Sequence, residues 1–165
     1  MLQAHLNNEI YVNHGQLLCA SYHHWTGKPL LTIQAEPDKL IMELYAASFA
    51  IVSHGIEDDP VFNFGNKVAL ELFELNWEDF IQLPSRNSVE MTNIKQREEL
   101  MQRVTKDGHM SDYSGVRISS TGKRFNIEGA TIWNIIDATG HYHGQAAMFK
   151  NWSFINYEQN YTFNN

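Results

Sequence analysis

Cysteine is almost missing from this chain: Cys19 stands alone among 165 residues. No intramolecular disulfide can form, and a zinc site built on thiolates would need more of them. Cys19 falls within a helical pattern, where a lone thiol is packing material and not a nucleophile. Basic residues are also few, 12 Lys and Arg against 19 Asp and Glu, for a formal charge of -7 spread thinly along the chain. That balance argues against nucleic acid or an anionic membrane as a partner, since both reward a basic stripe. No apolar run is long enough to cross a bilayer. The opening MLQAHLNNEIYVNHG lacks the basic-then-apolar order of a secretory signal, so a cytoplasmic location is expected. No G-x-S-x-G elbow and no phosphate-binding glycine loop exists, because the 10 glycines are scattered among turns. Neither repeats nor low-complexity runs divide the chain.

What remains is rich in core formers, 43% hydrophobic and 12% aromatic, enough for one folded domain with an appended element. Residues 2–25 read as an amphipathic helix stopped by Gly27 and Pro29. It carries one acidic residue, Glu9, which predicts contact on more than one side, with the domain or with a second copy. Pro37 suits the first turn of another helix, running to about Ser48. The stretch from Ala50 to Glu90 organises the rest. Ile51-Val52 begins a strand, Glu57, Asp58 and Asp59 lie in an acidic turn, and 61–64 form a second strand. Asn66 caps a helix, Asn76 caps a short one, and Pro84 begins a loop. Asn93 with Gln96 offers a further capping box for a helix to about Lys106.

The last third is a meander, with strands at 110–119, 124–137 and 141–152, leaving 153–165 as a partly ordered tail. Strict alternation puts Phe125, Ile127, Gly129, Thr131, Trp133 and Ile135 on one face of the middle strand. Both faces turn apolar toward its end, so something must cover the second face, and the N-terminal helix is the natural cover. The resulting expectation is an α+β fold: an antiparallel five-stranded sheet, helices on one face, and an N-terminal helix packed outside. The division is 1–34 for the leading helix and link, 35–152 for the domain, and 153–165 for the tail.

Strand, strand, helices and a three-strand meander is the element order of PAS domains. VSHG at 52–55, DPVFNFGN at 59–66, ALELFE at 69–74, LPSR at 83–86, DYSGVRIS at 112–119 and GQAA at 144–147 resemble the MEKHLA-domain family. The resemblance runs from Tyr11 to Trp152. It implies a PAS-like fold of the stand-alone bacterial type, with a small molecule held between sheet and helices or the sheet face used for dimerisation. The homeodomain and zipper of the family's plant members have no counterpart in these residues, so their DNA binding does not carry over. A flavin-cysteine photosensor needs its cysteine on the helices beside the flavin, and Cys19 precedes the domain core. Haem ligation would fall to His109, which reads instead as a turn histidine. Neither cofactor is expected.

The candidate ligand-binding residues are His54, Asn63, Arg86, Tyr113, Arg117, Trp133 and Phe149. Each has a rival reading. His54 can face a cavity or pin the acidic turn through Asp58 or Asp59. Arg86 and Arg117 can hold a ligand carboxylate or tie down Glu90, Asp112 or Glu128. Trp133 can line the pocket with Tyr113 and Phe149 or pack the core. His141 and His143 share a strand face as a two-ligand metal clip or as solvent-facing histidines. Ser53 and His54, adjacent on a strand, point to opposite faces and cannot form a triad. The function expected is a sensory, ligand-binding module acting through a partner or a homodimer. A ligand-free interaction module is the alternative, and a small enzyme comes last.

Overall fold

A computed structural model of the chain describes residues 5–89 and 94–156. The expected Asn93–Gln96 capping box and any role of Glu90 lie outside the described residues, as do positions 157–165. The first long helix, α1 (Glu9–Thr26), opens at Asn8, whose side chain accepts from the Tyr11 amide, and closes at Gly27 with φ 71°. A left-handed residue at that point lets the Gly27 N–H return to the His23 carbonyl, at 2.8 Å. A 3-10 turn (Pro37–Lys39) leads into α2 (Leu40–Ala46). Strands β1 (Ala50–His54) and β2 (Phe62–Gly65) follow, then α3 (Lys67–Phe73), α4 (Trp77–Phe80) and a second 3-10 turn (Ser85–Ser88). Helix α5 (Ile94–Asp107) precedes β3 (His109–Ile118), β4 (Arg124–Ile136), β5 (Tyr142–Phe149) and β6 (Asn151–Phe154).

The strands form one antiparallel sheet in the order β2-β1-β5-β4-β3, with β6 also on β4. β6 keeps the register of β5: Met148 faces Thr131 and Asn151 faces Glu128 along the same lane. The sheet is thus the expected five lanes, with the fifth strand interrupted at Lys150. Residues 153 and 154, expected in the tail, belong to it.

Asn66 does more than cap. Its Oδ1 accepts from the Ala69 amide at 3.1 Å and from the Ile51 amide at 3.0 Å, while Nδ2 donates to the carbonyls of Leu44 and Phe49. One fully buried amide therefore satisfies backbone groups on α2, β1, α3 and the link before β1. Glu74 plays a similar part at the far end of α3. It adopts φ 56°, and its carboxylate takes bonds from Ser119 and Thr121 in the β3–β4 turn, with Lys123 3.1 Å away. Those donors hold its carboxyl down at about 2.

The two faces of the sheet carry different layers. Helix α1 crosses one face, where Trp133 Nε1 donates to Ser21 Oγ at 3.0 Å and Trp25 Nε1 donates to the Asn134 carbonyl at 2.9 Å. Helices α3 and α5 and the second 3-10 turn close the other face. The strict alternation expected of β4 does not hold. Phe125, Ile127, Ala130, Ile132 and Asn134 are buried, whereas Glu128 and Gly129 between them are exposed. Gly129 takes φ 62° and the β3–β4 register shifts beside it. The slip moves the inner face from odd to even positions, so Ile127 and Ile132 line one cavity while Trp133 turns to α1.

Candidate functional site

The inner layer does not close completely. Between sheet and helices lies a cavity of about 80 Å³. Its floor is Val52 and His54 of β1, Ile127 and Ile132 of β4, and Ala147 and Phe149 of β5. Leu100 and Met101 of α5 roof it, Phe62 and Phe73 close one end, and Ser85, Ser88, Arg97 and Arg117 supply polar groups. A buried water needs about 10–15 Å³ in this measure, so the space suits several waters or one molecule of about five to eight heavy atoms. No carboxylate is among the described residues that line it.

Helix α5 aims the key cation. Arg97, Leu100, Met101 and Val104 recur at helical spacing and share the face toward the sheet. Arg97 Nη2 donates to Ser85 Oγ, and no ion pair of Arg97 exists among the described residues. Burial lowers its pKa, and the charge of Arg117 lowers it further. Arg117 reaches the Tyr113 hydroxyl with both terminal nitrogens at 3.4 Å and the Val116 carbonyl at 3.0 Å. Its guanidinium sits 5.6 Å from the Tyr113 ring centre. Both arginines also border a surface groove of 240 Å³ between α5 and β3, together with Tyr113, Glu99 and Arg103.

His54 faces the cavity, not the acidic turn: its Nδ1 meets the Gly55 carbonyl at 3.0 Å. A carbonyl only accepts, so Nδ1 carries the proton and Nε2 of the neutral ring is an acceptor. Desolvation lowers its pKa, which keeps it neutral at pH 7. Deeper in, Gln145 Nε2 donates to the Met101 carbonyl, Thr105 Oγ1 and Asn134 Oδ1, while Asn134 Nδ2 donates to the carbonyls of Val104 and Thr105. This pair staples α5 to β4 and β5.

Of the expected ligand residues, the structure brings His54, Arg117 and Phe149 to the cavity, with Tyr113 in the adjoining groove. Three others lie elsewhere. Arg86 is exposed and its Nε contacts both Asp59 oxygens at 3.0 Å, so it braces the acidic turn. Asn63 points toward α1: its Oδ1 accepts from Ser53 Oγ, which also meets His14 Nε2 at 2.9 Å, and its carbonyl accepts from Tyr11. Trp133 lies under α1 because of the slip at Gly129. Sequence reasoning missed Arg97, although it stands three residues before Leu100 and seven before Val104 on the apolar face of α5.

Other candidates resolve locally. His143 Nε2 lies 2.9 Å from Asp137, which also receives the Thr139 hydroxyl and the His141 amide. Among the described residues no group of three His, Cys, Asp or Glu is placed to hold a metal ion. His109 stacks on Trp25 at 6.1 Å. Burial pushes the Cys19 thiol up to about 11, and Cys19 is not among the residues lining the cavity. No described helix is long and apolar enough to cross a membrane.

Comparison with known proteins agrees with this architecture. The model of the MEKHLA domain matches residues 12–154. The rice (Oryza sativa subsp. indica) homeobox-leucine zipper protein HOX10 is 28% identical over 142 residues, covering 84% of this chain but 17% of HOX10. The chain therefore corresponds to about a sixth of that relative's length. Among solved structures, an RNA-binding light-oxygen-voltage receptor aligns with TM-score 0.61 at 13% identity, over 74% of this chain and 36% of that one. A PAS domain from Colwellia psychrerythraea gives 0.57 at 15%, over 69% and 92%. The PAS domain of a LuxR-family regulator from Burkholderia thailandensis, solved with ethanol, gives 0.52 at 15%, over 65% and 92%. At such identities the likeness concerns the fold, which is PAS-like. With the family model covering nearly the whole chain, the protein belongs to the MEKHLA-domain family.

Proposed function

We propose that this protein is a PAS-like sensory module that holds a small molecule in the cavity under α5 and passes the change to a partner protein or a second copy of itself. The observation carrying this reading is the cavity: an apolar interior with a few convergent polar groups, on a fold with a solved relative that holds ethanol. Helix α5 is the element that a bound molecule would shift, since it roofs the cavity and is tied to the sheet by a few polar side chains, Asn134 and Gln145 among them. Catalysis is not part of the proposal. A neutral His54 beside two arginines, with no carboxylate in the lining, lacks a coupled nucleophile and base.

Native mass spectrometry of freshly purified protein should detect a retained small molecule. Methyl NMR at Ile127, Ile132 and Ala147 should shift when small organic molecules are titrated, and an Ala147→Phe variant that fills the space should abolish those shifts. Shifts confined to the surface, unchanged in the filled variant, would sink the proposal.

A further inference from the structure

Most arginines under cover are matched by a carboxylate, because a desolvated cation without a counter-charge is costly. Here two arginines from different elements, Arg97 of α5 and Arg117 of β3, border the same cavity, and neither makes an ion pair among the described residues. Their partners are neutral: the Ser85 hydroxyl for Arg97, the Tyr113 hydroxyl and the Val116 carbonyl for Arg117. The two positive charges also disfavour each other. Elsewhere even exposed cations meet carboxylates, as Arg86 does with Asp59 and Lys123 with Glu74. The unmatched pair also lines both the cavity and the outer groove.

We infer that Arg97 and Arg117 form the anion-binding end of the cavity and that the ligand is a small carboxylic acid with a short apolar body. This rests on the cavity being a ligand site and adds the ligand's class. The planar forks of two arginines suit a carboxylate, each accepting oxygen taking charge-assisted bonds. Phe62, Leu100, Ile127, Ile132 and Phe149 make up most of the wall beyond the arginines, so the body of the molecule is apolar. The 80 Å³ volume limits it to about five to eight heavy atoms, the size of butyrate. Inorganic phosphate would fill the charged end and leave the apolar part empty, which makes it the weaker ligand.

The test titrates butyrate, 1-butanol and inorganic phosphate into the full chain, reading methyl shifts at Ile127, Ile132 and Ala147, with Arg97→Gln and Arg117→Gln as variants. Butyrate should bind about tenfold to a hundredfold more tightly than butanol, and either variant should lose most of that margin. Arg97→Lys, which keeps the charge without the fork, should recover part of it and guards against a loss caused by misfolding. Butanol binding as well as butyrate, untouched by the arginine variants, would overturn the carboxylate while leaving a ligand cavity. Phosphate matching butyrate while butanol fails would overturn the apolar-body assignment. No methyl shift with any of the three would overturn both this inference and the sensory reading beneath it.

Discussion

The two faces of one sheet handle polar side chains in opposite ways. On the face under α1, polar groups are paired across the interface: Ser21 with Trp133, Trp25 with the Asn134 carbonyl, His14 with Ser53 and Ser53 with Asn63. On the face under α5, Asn134 and Gln145 are matched, but Arg97, Arg117 and His54 meet only neutral partners around a cavity. A face that pairs most of its polar groups behaves as structure, and one that leaves cations without counter-charge is, on the function proposed above, the one poised for a ligand. Substitutions at four positions, with the pH dependence of stability, test that distinction.

The largest effect belongs to Trp133. It is fully buried, packs edge-on against Tyr22 at 5.0 Å and holds Ser21. Trp133→Ala should destabilise the fold by about 3–5 kcal/mol in urea unfolding, through the void and the lost bond to Ser21, whose hydroxyl keeps its bond to the Leu17 carbonyl. Trp133→Phe should recover most of the packing share. Small-molecule titration of the Phe variant should match the parent, because the ring lies across the sheet from the cavity. A lost response at unchanged stability would merge the two faces.

His14 comes next. Burial between α1 and the sheet, aided by repulsion from His143, lowers its pKa from 6.5 to about 4. The folded chain thus keeps His14 neutral where the unfolded chain takes a proton. Stability is complete above about pH 6.5 and falls as the pH drops through the window from 6.5 to about 4, after which this loss levels off. Up to about 3 kcal/mol is at stake for a shift of this size. A His14→Gln variant should flatten the curve between those limits, measured by urea midpoints at several pH values. An unchanged slope would mean that another group governs it. Glu74 acts lower: its pKa is depressed to about 2 from 4.5, so its contribution is present above 4.5 and fades as the pH falls toward 2.

Asn134 tests the staple. Removing its amide in Asn134→Ala takes a donor from the Val104 and Thr105 carbonyls, leaving Val104 its bond from the Gly108 amide, and removes one partner of Gln145. The expected cost is about 1–3 kcal/mol. Amide exchange should rise in α5 before it rises in β1 or β2. Uniform loosening would show that α5 is held by its apolar contacts alone.

Much of this was legible in the chain. Asn66 and Asn76 mark helix starts in the sequence and cap them in the structure, and the turns at Gly122 and Gly140 delimit the meander. The order of elements carried the PAS-like arrangement, and the doubly apolar end of β4 called for the cover that α1 provides. The side of the sheet was not legible where a single residue decides it. Gly129 inside a strand is the usual mark of a bulge, but its φ of 62° and the odd-to-even exchange follow from tertiary pairing with β3. Counting straight through it put Trp133 in the pocket. Asn63 and Arg86 failed differently: both were chemically suitable, and their partners, Ser53 and Asp59, come from residues 10 and 27 positions away. Arg97 was overlooked because a charged residue in a charged helix reads as solvent-facing, although its phase relative to Leu100 and Val104 is that of the core.

The smallest expected change carries the sharpest contrast. If Arg97 were structural in the way Trp133 is, removing its charge would cost stability. In Arg97→Met the unbranched thioether side chain still fills the roof beside Leu100, the bond to Ser85 is lost, and a partly desolvated cation near Arg117 disappears. Losing a hydrogen bond from a charged donor costs about 1.5–3 kcal/mol, and relieving an unmatched, partly desolvated charge returns a similar amount. The urea midpoint should therefore stay level or rise slightly in the absence of ligand, with a slope m unchanged from the parent. Adding butyrate should stabilise the parent by mass action and leave Arg97→Met where it was. A variant markedly less stable than the parent without any ligand would place Arg97 with the paired residues of the α1 face, and the two faces would then differ in shape but not in purpose.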